Sequence, residues 1–126
     1  MTAMQDQQLA SLIMMLAALL VAGCGDGEKG KEALASQARG AALIAKLGCG
    51  ACHTVPGIEG ATALVGPPLD HMGSRLYIAG VLRNTPDNMI LWLRKPQSAV
   101  PGNAMPDMDL DEKQARDIAA YLASLK

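Results

Sequence analysis

Three cysteines stand in this chain of 126 residues: Cys24, Cys49 and Cys52. The last two lie in Cys49-Gly50-Ala51-Cys52-His53, a Cys-x-x-Cys-His run. Two thiols one helical turn apart can each close a thioether onto a vinyl group of a haem. The adjacent imidazole is then placed to ligate the iron, and this is the spacing of haem c attachment. A thioredoxin-like pair needs a strand–helix–strand setting, whereas the flanks here are Ala-rich and helical. A structural zinc site needs four ligands, and no second Cys pair exists. A disulfide between these two would close too small a loop to stabilise much. The reading is therefore one covalent haem c, held through Cys49 and Cys52, with His53 on iron.

The elements around the motif follow from spacing and caps. Residues 33–48 read as an amphipathic helix, with Leu34, Ala38, Ala41, Ala42, Ala45 and Leu47 as apolar contacts and Gly48 as its stop. A loop with Pro56, Gly57 and Gly60 leads to Gly66-Pro67-Pro68-Leu69, where the prolines exclude helix and fix an extended path. Such a segment can present a carbonyl to the ligating imidazole. Thr85 caps a second helix, Pro86 suits its first position and Asp87 favours its positive end. Pro96 ends that helix, and residues 97–110 read as loop. Asp111 and Gln114 form a capping-box pattern opening a last helix. Its buried stripe is Ala115, Ile118, Ala119, Leu122 and Leu125. No sustained period-two alternation appears, so no sheet is expected.

These motifs, in this order, resemble class I cytochrome c, a mono-haem electron carrier, over about residues 35–126. The resemblance rests on Cys-x-x-Cys-His, on Gly66-Pro67-x-Leu69, on Met105-Pro106 and on Asp117-Ile118-Ala119-Ala120-Tyr121-Leu122 in the final helix. It implies an all-α cytochrome c fold, with about three to five short helices around one haem. By that resemblance Cys49 and Cys52 are the thioether cysteines, His53 is the proximal ligand and Met105 the distal one. Pro67 supplies the carbonyl for the His53 ring, Leu69 packs on haem, and Arg75 holds the position of an arginine near a propionate. Trp92 falls where a Tyr near the Met sulfur is common. Gly40 corresponds to a close-contact glycine crossed by the last helix near Tyr121, and Ile44 replaces the usual aromatic. Other Met residues compete with Met105: Met89 reads as packing, Met72 follows the prolines, and Met108 is three residues further on. His71 is the alternative sixth ligand.

Residues 7–25 carry no charge, and residues 9–22 form an apolar run ending in Leu20-Val21-Ala22-Gly23-Cys24. The run is short for a membrane span. It resembles a bacterial lipoprotein signal, which implies cleavage before Cys24 and lipidation of its sulfur. The positive residues usual before such a run are missing. The expected organisation is a signal over residues 1–23, a Gly-rich flexible tether over 24–33 and the haem domain over 34–126. The domain then lies on the outer, periplasmic side of a bacterial membrane.

Composition narrows the function. Lys and Arg number 11 against 12 Asp and Glu, which excludes a strongly basic nucleic-acid surface. Loss of residues 1–23 removes Asp6 and no base, leaving a formal charge of zero. With no Phe, one Trp and two Tyr, the chain lacks large apolar mass for a core, and a haem supplies it. No catalytic triad or acid/base pair stands out, so an enzyme and a small-molecule substrate are not expected. The resemblance implies a respiratory electron carrier between a membrane donor complex and a terminal oxidase or similar acceptor. A haem-based binder of CO or NO is the alternative if Met105 does not hold the iron.

Overall fold

The computed structural model describes residues 25–126; the expected signal and Cys24 lie outside the described residues. The chain divides between Glu32 and Ala33, and Ala33–Lys126 forms one compact unit. Among the described residues there are four α-helices: α1 (Gly25–Lys46), α2 (Pro86–Arg94), α3 (Pro96–Ala99) and α4 (Glu112–Ser124). Single 3-10 turns occupy Cys49–Ala51 and Met72–Ser74, and two strands, β1 (Tyr77–Ile78) and β2 (Leu82–Arg83), complete the order. The architecture is mostly helical, in agreement with the expected fold class.

Helix α1 begins at Gly25, so the stretch expected as a flexible tether is helical here. Gly27 and Gly30 each weaken a helix by roughly 1 kcal/mol relative to Ala. Against that cost, Glu28 and Lys31 stand at i,i+3, a spacing that supports helix. The face that α1 buries also differs from expectation. Leu34 is 67% exposed and Ile44 only 1%, while Ala38, Ala42 and Ala45 are exposed as well. The stripe runs through Gly40, Ile44 and Leu47 instead. Alanines are tolerated on either face, so they did not mark it.

Helix α4 carries the other half of the core: Ala115, Ile118, Ala119 and Leu122 are buried, as their spacing predicts, with Leu125 packed at the edge. Burying a side chain such as Ile118 or Leu122 contributes about 1.5–3 kcal/mol. The capping box is present in full, with Gln114 N–H donating to Asp111 Oδ1 and Asp111 N–H to Gln114 Oε1. The two helices cross at Gly40. A Cβ there would lie 2.0 Å from the Asp117 carbonyl oxygen and 3.0 Å from Tyr121 Cβ. Ile44, one turn further along α1, is buried in the apolar core.

Two local expectations change. Strands β1 and β2 pair antiparallel, Tyr77 with Arg83 and Ile78 with Leu82. Two residues per strand are too few to show alternation; Ala79 (φ 50°) and Gly80 (φ 76°) make the turn between them. Pro96 does end α2, after Lys95, but it also opens the one-turn helix α3, because proline fits the first helical position.

Candidate functional site

The Cys-x-x-Cys-His run leaves α1 through Gly48, which takes a left-handed φ of 74° and lets the chain turn into the 3-10 segment. The turn is closed by Cys52 N–H donating to the Cys49 carbonyl at 3.2 Å and His53 N–H donating to the same oxygen at 3.0 Å. Gly50 sits against Ala61, where a Cβ would meet Ala61 Cα and Cβ at 2.8 Å. Cys49 and Cys52 are free thiols. Burial pushes the Cys49 thiol up from its ordinary value, and the neighbouring Cys52 adds to this.

The proline segment lies along the motif and is fastened at three levels. Gly66 N–H donates to the Cys52 carbonyl at 2.7 Å, and Leu69 N–H to the Thr54 carbonyl at 2.8 Å. Between them, His53 Nδ1 lies 2.7 Å from the Pro67 carbonyl oxygen. Gly66 is the floor of this arrangement: a Cβ on it would stand 2.4 Å from His53 Cε1 and 2.7 Å from Nδ1. Only a residue without a side chain lets the imidazole lie against the backbone here. Arg75 braces the far side, its Nη2 donating to the Pro68 carbonyl at 2.7 Å and the Asp70 carbonyl at 2.9 Å.

Met105 is half-buried, as are Leu69, Trp92 and Met108, all packed on the edge of the core. Met72 and Met89 are buried within it. His71 is exposed, takes a left-handed φ of 53° and has Nε2 3.8 Å from Asp70 Oδ2. The proline segment, the motif and Arg75 are brought together. His53 and Met105 are carried on separate loops.

Three features escaped the sequence reading. Asn84, which precedes the Thr85 cap, donates from Nδ2 to the Met72 and Arg75 carbonyls at 2.8 and 2.9 Å, fixing the segment after Arg75. Gln97 and Asn103 hold the loop before Met105 through side-chain amides. Asp117, on the buried stripe of α4, accepts from Ser36 Oγ at 2.7 Å, from Arg39 at 2.9 and 3.0 Å, and from Lys113 Nζ at 2.8 Å. The Arg39 guanidinium holds the Asp117 carboxyl well below the usual carboxylate range, against its burial. A lone acid within an apolar helical stripe was the available sign of that cluster. The polar residues of the loop and strand gave none.

The residues present fit a covalently held haem: two unpaired thiols one turn apart, and an imidazole seated in a cradle that a Cβ would fill. No helix among the described residues is long and apolar enough to cross a membrane.

Among curated proteins, the chain is similar to cytochrome c oxidase subunit 2 of Alkalihalophilus pseudofirmus, 39% identical over 100 residues, covering 79% of this chain and 28% of that one. It is similar to the same subunit of Bacillus sp. PS3, 38% identical over 82 residues (62% of this chain, 23% of that one). The subunit of Bacillus subtilis is 33% identical over 92 residues (70% and 26%). The chain thus spans about a quarter of the length of these relatives. No solved structure matches it. The family model for cytochrome c covers residues 37–126, from the middle of α1 through α4, and on that match the chain belongs to the cytochrome c family and carries covalently attached haem c.

Proposed function

We propose that this chain is a mono-haem electron-transfer domain whose iron is ligated by His53 and Met105, and that it delivers single electrons within a respiratory oxidase system. The observation that carries this reading is the contact between His53 Nδ1 and the Pro67 carbonyl. A carbonyl can only accept, so Nδ1 bears the proton. In the neutral ring Nε2 then keeps its lone pair, the form an iron ligand needs. Bound haem supplies a one-electron iron couple, whose potential a Met/His pair raises.

Each residue contributes in a definite way. Cys49 and Cys52 hold the group covalently. Gly66 and Pro67 keep the imidazole from rotating. Met105 would give the iron its second protein ligand, leaving no open position for substrate. Leu69 and Trp92 offer apolar cover, and Arg75 keeps the proline segment in place.

The similarity to cytochrome c oxidase subunit 2 supports a terminal oxidase as the electron acceptor or host complex. Lipidation at Cys24 would hold the domain on the extracytoplasmic face of the membrane and raise its effective concentration there. Fractionation tests the anchor: the parent chain stays with membranes and Cys24→Ala is released. Ligation is tested on protein matured with haem. The ferric form should be low-spin with a weak near-infrared sulfur-to-iron band that Met105→Ala abolishes. A high-spin spectrum that responds directly to CO after reduction would replace the carrier with a ligand-binding protein.

A further inference from the structure

We infer that Gln97 is a positioning residue for Met105, acting with Asn103 as a pair of amide clamps; the inference rests on the ligation proposed above. The loop between α3 and Met105 contains Pro101 and Gly102, is followed by Pro106, and has few backbone bonds of its own. Val100 N–H donates to the Pro96 carbonyl at 2.9 Å and Asn103 N–H to the Val100 carbonyl at 3.3 Å. The rest of its order comes from two side chains. Gln97 Nε2 donates to the Asn103 carbonyl at 2.8 Å and to the Met105 carbonyl at 3.2 Å. Its Oε1 accepts from Gly102 N–H at 3.1 Å. Asn103 Nδ2 donates to the Pro96 and Val100 carbonyls at 2.9 and 2.7 Å, and its Oδ1 accepts from Met105 N–H at 2.8 Å.

Met105 therefore has its N–H held by Asn103 and its carbonyl held by Gln97. Both backbone atoms that set the direction of its side chain are fixed by amides. The two roles are chemically matched. Gln97 stands on α3, which Pro96 starts rigidly, and reaches three groups of the loop. A thioether is a weak, neutral ligand without charge to hold it in place, so its retention depends on how far the loop is pre-arranged. Gln97 needs both ends of its amide: an NH2 facing two carbonyl oxygens and an oxygen facing an N–H. A carboxylate of the same shape would keep only the second.

The test uses the full-length holoprotein and follows the near-infrared sulfur-to-iron band with pH. Gln97→Ala and Gln97→Glu should each favour loss of the band by about tenfold relative to the parent chain, the scale of one or two net hydrogen bonds. The midpoint pH of band loss should then fall by about one unit. Ser98→Ala, an exposed neighbour on the same short helix, should leave it unchanged. Far-UV circular dichroism of all three should match the parent chain. A parent band with an unshifted midpoint in both Gln97 variants would overturn the positioning role and leave His53/Met105 ligation standing. No band in the parent chain would overturn both. An equal shift in Ser98→Ala would assign the effect to α3 itself and overturn the role of Gln97.

Discussion

The carbonyl oxygen of Asp117 occupies the space where residue 40 would carry a side chain: a Cβ on Gly40 would lie 2.0 Å from it. The obstacle is backbone, which cannot rotate aside, so α1 and α4 would have to separate. Gly40→Ala should destabilise the holoprotein by at least about 2–3 kcal/mol, at the upper range of overpacking. Thermal melts of parent and variant, read by circular dichroism, measure this.

The Asp117 side chain joins the same two helices. Its folded-state pKa is depressed by Arg39, Lys113 and Ser36. It therefore contributes stability above the ordinary carboxylate pKa, and that stability is lost as pH falls below it toward the folded value. Asp117→Asn should cost about 1–3 kcal/mol at neutral pH. The variant should also lose less stability than the parent between pH 5 and pH 3. Denaturant titrations at several pH values give both quantities.

Gly66 tests the imidazole seat. Gly66→Ala places a methyl group 2.4 Å from the present position of His53 Cε1, so the ring must tilt and its bond to Pro67 must lengthen or break. The reduction potential should rise, because an imidazole without its carbonyl acceptor is a less basic ligand, and the yield of haem-bearing protein should fall, while Ala at the neighbouring exposed position (Val65→Ala) should change neither. Voltammetry and the haem-to-protein absorbance ratio read the outcome.

Tyr121 donates to the Pro56 carbonyl at 2.6 Å, pinning the loop after the haem motif to α4. Tyr121→Phe keeps the ring and removes the donor. A loss of about 1 kcal/mol is expected, with no change in the near-infrared band, because Pro56 lies on the loop away from Met105 in sequence. A band that weakens would link the Pro56 loop to the surroundings of Met105.

Removing the cofactor should cost most of the fold. The chain has three aromatic residues and no Phe, and among the described residues the buried apolar side chains are all aliphatic or Met, such as Ile44, Met89 and Ile118. The double variant Cys49→Ser, Cys52→Ser should show strongly reduced far-UV helix signal. Full helix in that variant would mean that the polypeptide core suffices.

The parts legible in the sequence were those written in local chemistry. Thr85 and Pro86 gave the start of α2, and Asp111 with Gln114 the start of α4. The Cys-x-x-Cys-His spacing implied the haem c that the family match supports. The parts that were not legible depend on distant partners. The buried face of α1 is chosen by what Asp117 and Tyr121 leave room for, and a row of alanines does not reveal that. Asn84, Gln97 and Asn103 are ordinary polar residues until their carbonyl partners are seen. The short sheet fell below the length at which alternation has meaning.

The tie between Arg39 and Asp117 spans 78 residues of sequence, and that between Ser36 and Asp117 spans 81. Bringing together residues so far apart costs loop-closure entropy, and contacts of high sequence separation slow folding as a whole. The thiols of Cys49 and Cys52 lie early within that span. Both thiols therefore sit on the stretch of chain that these two ties close into a loop. Separating α4 from α1 at Asp117 would open the loop that carries both thiols.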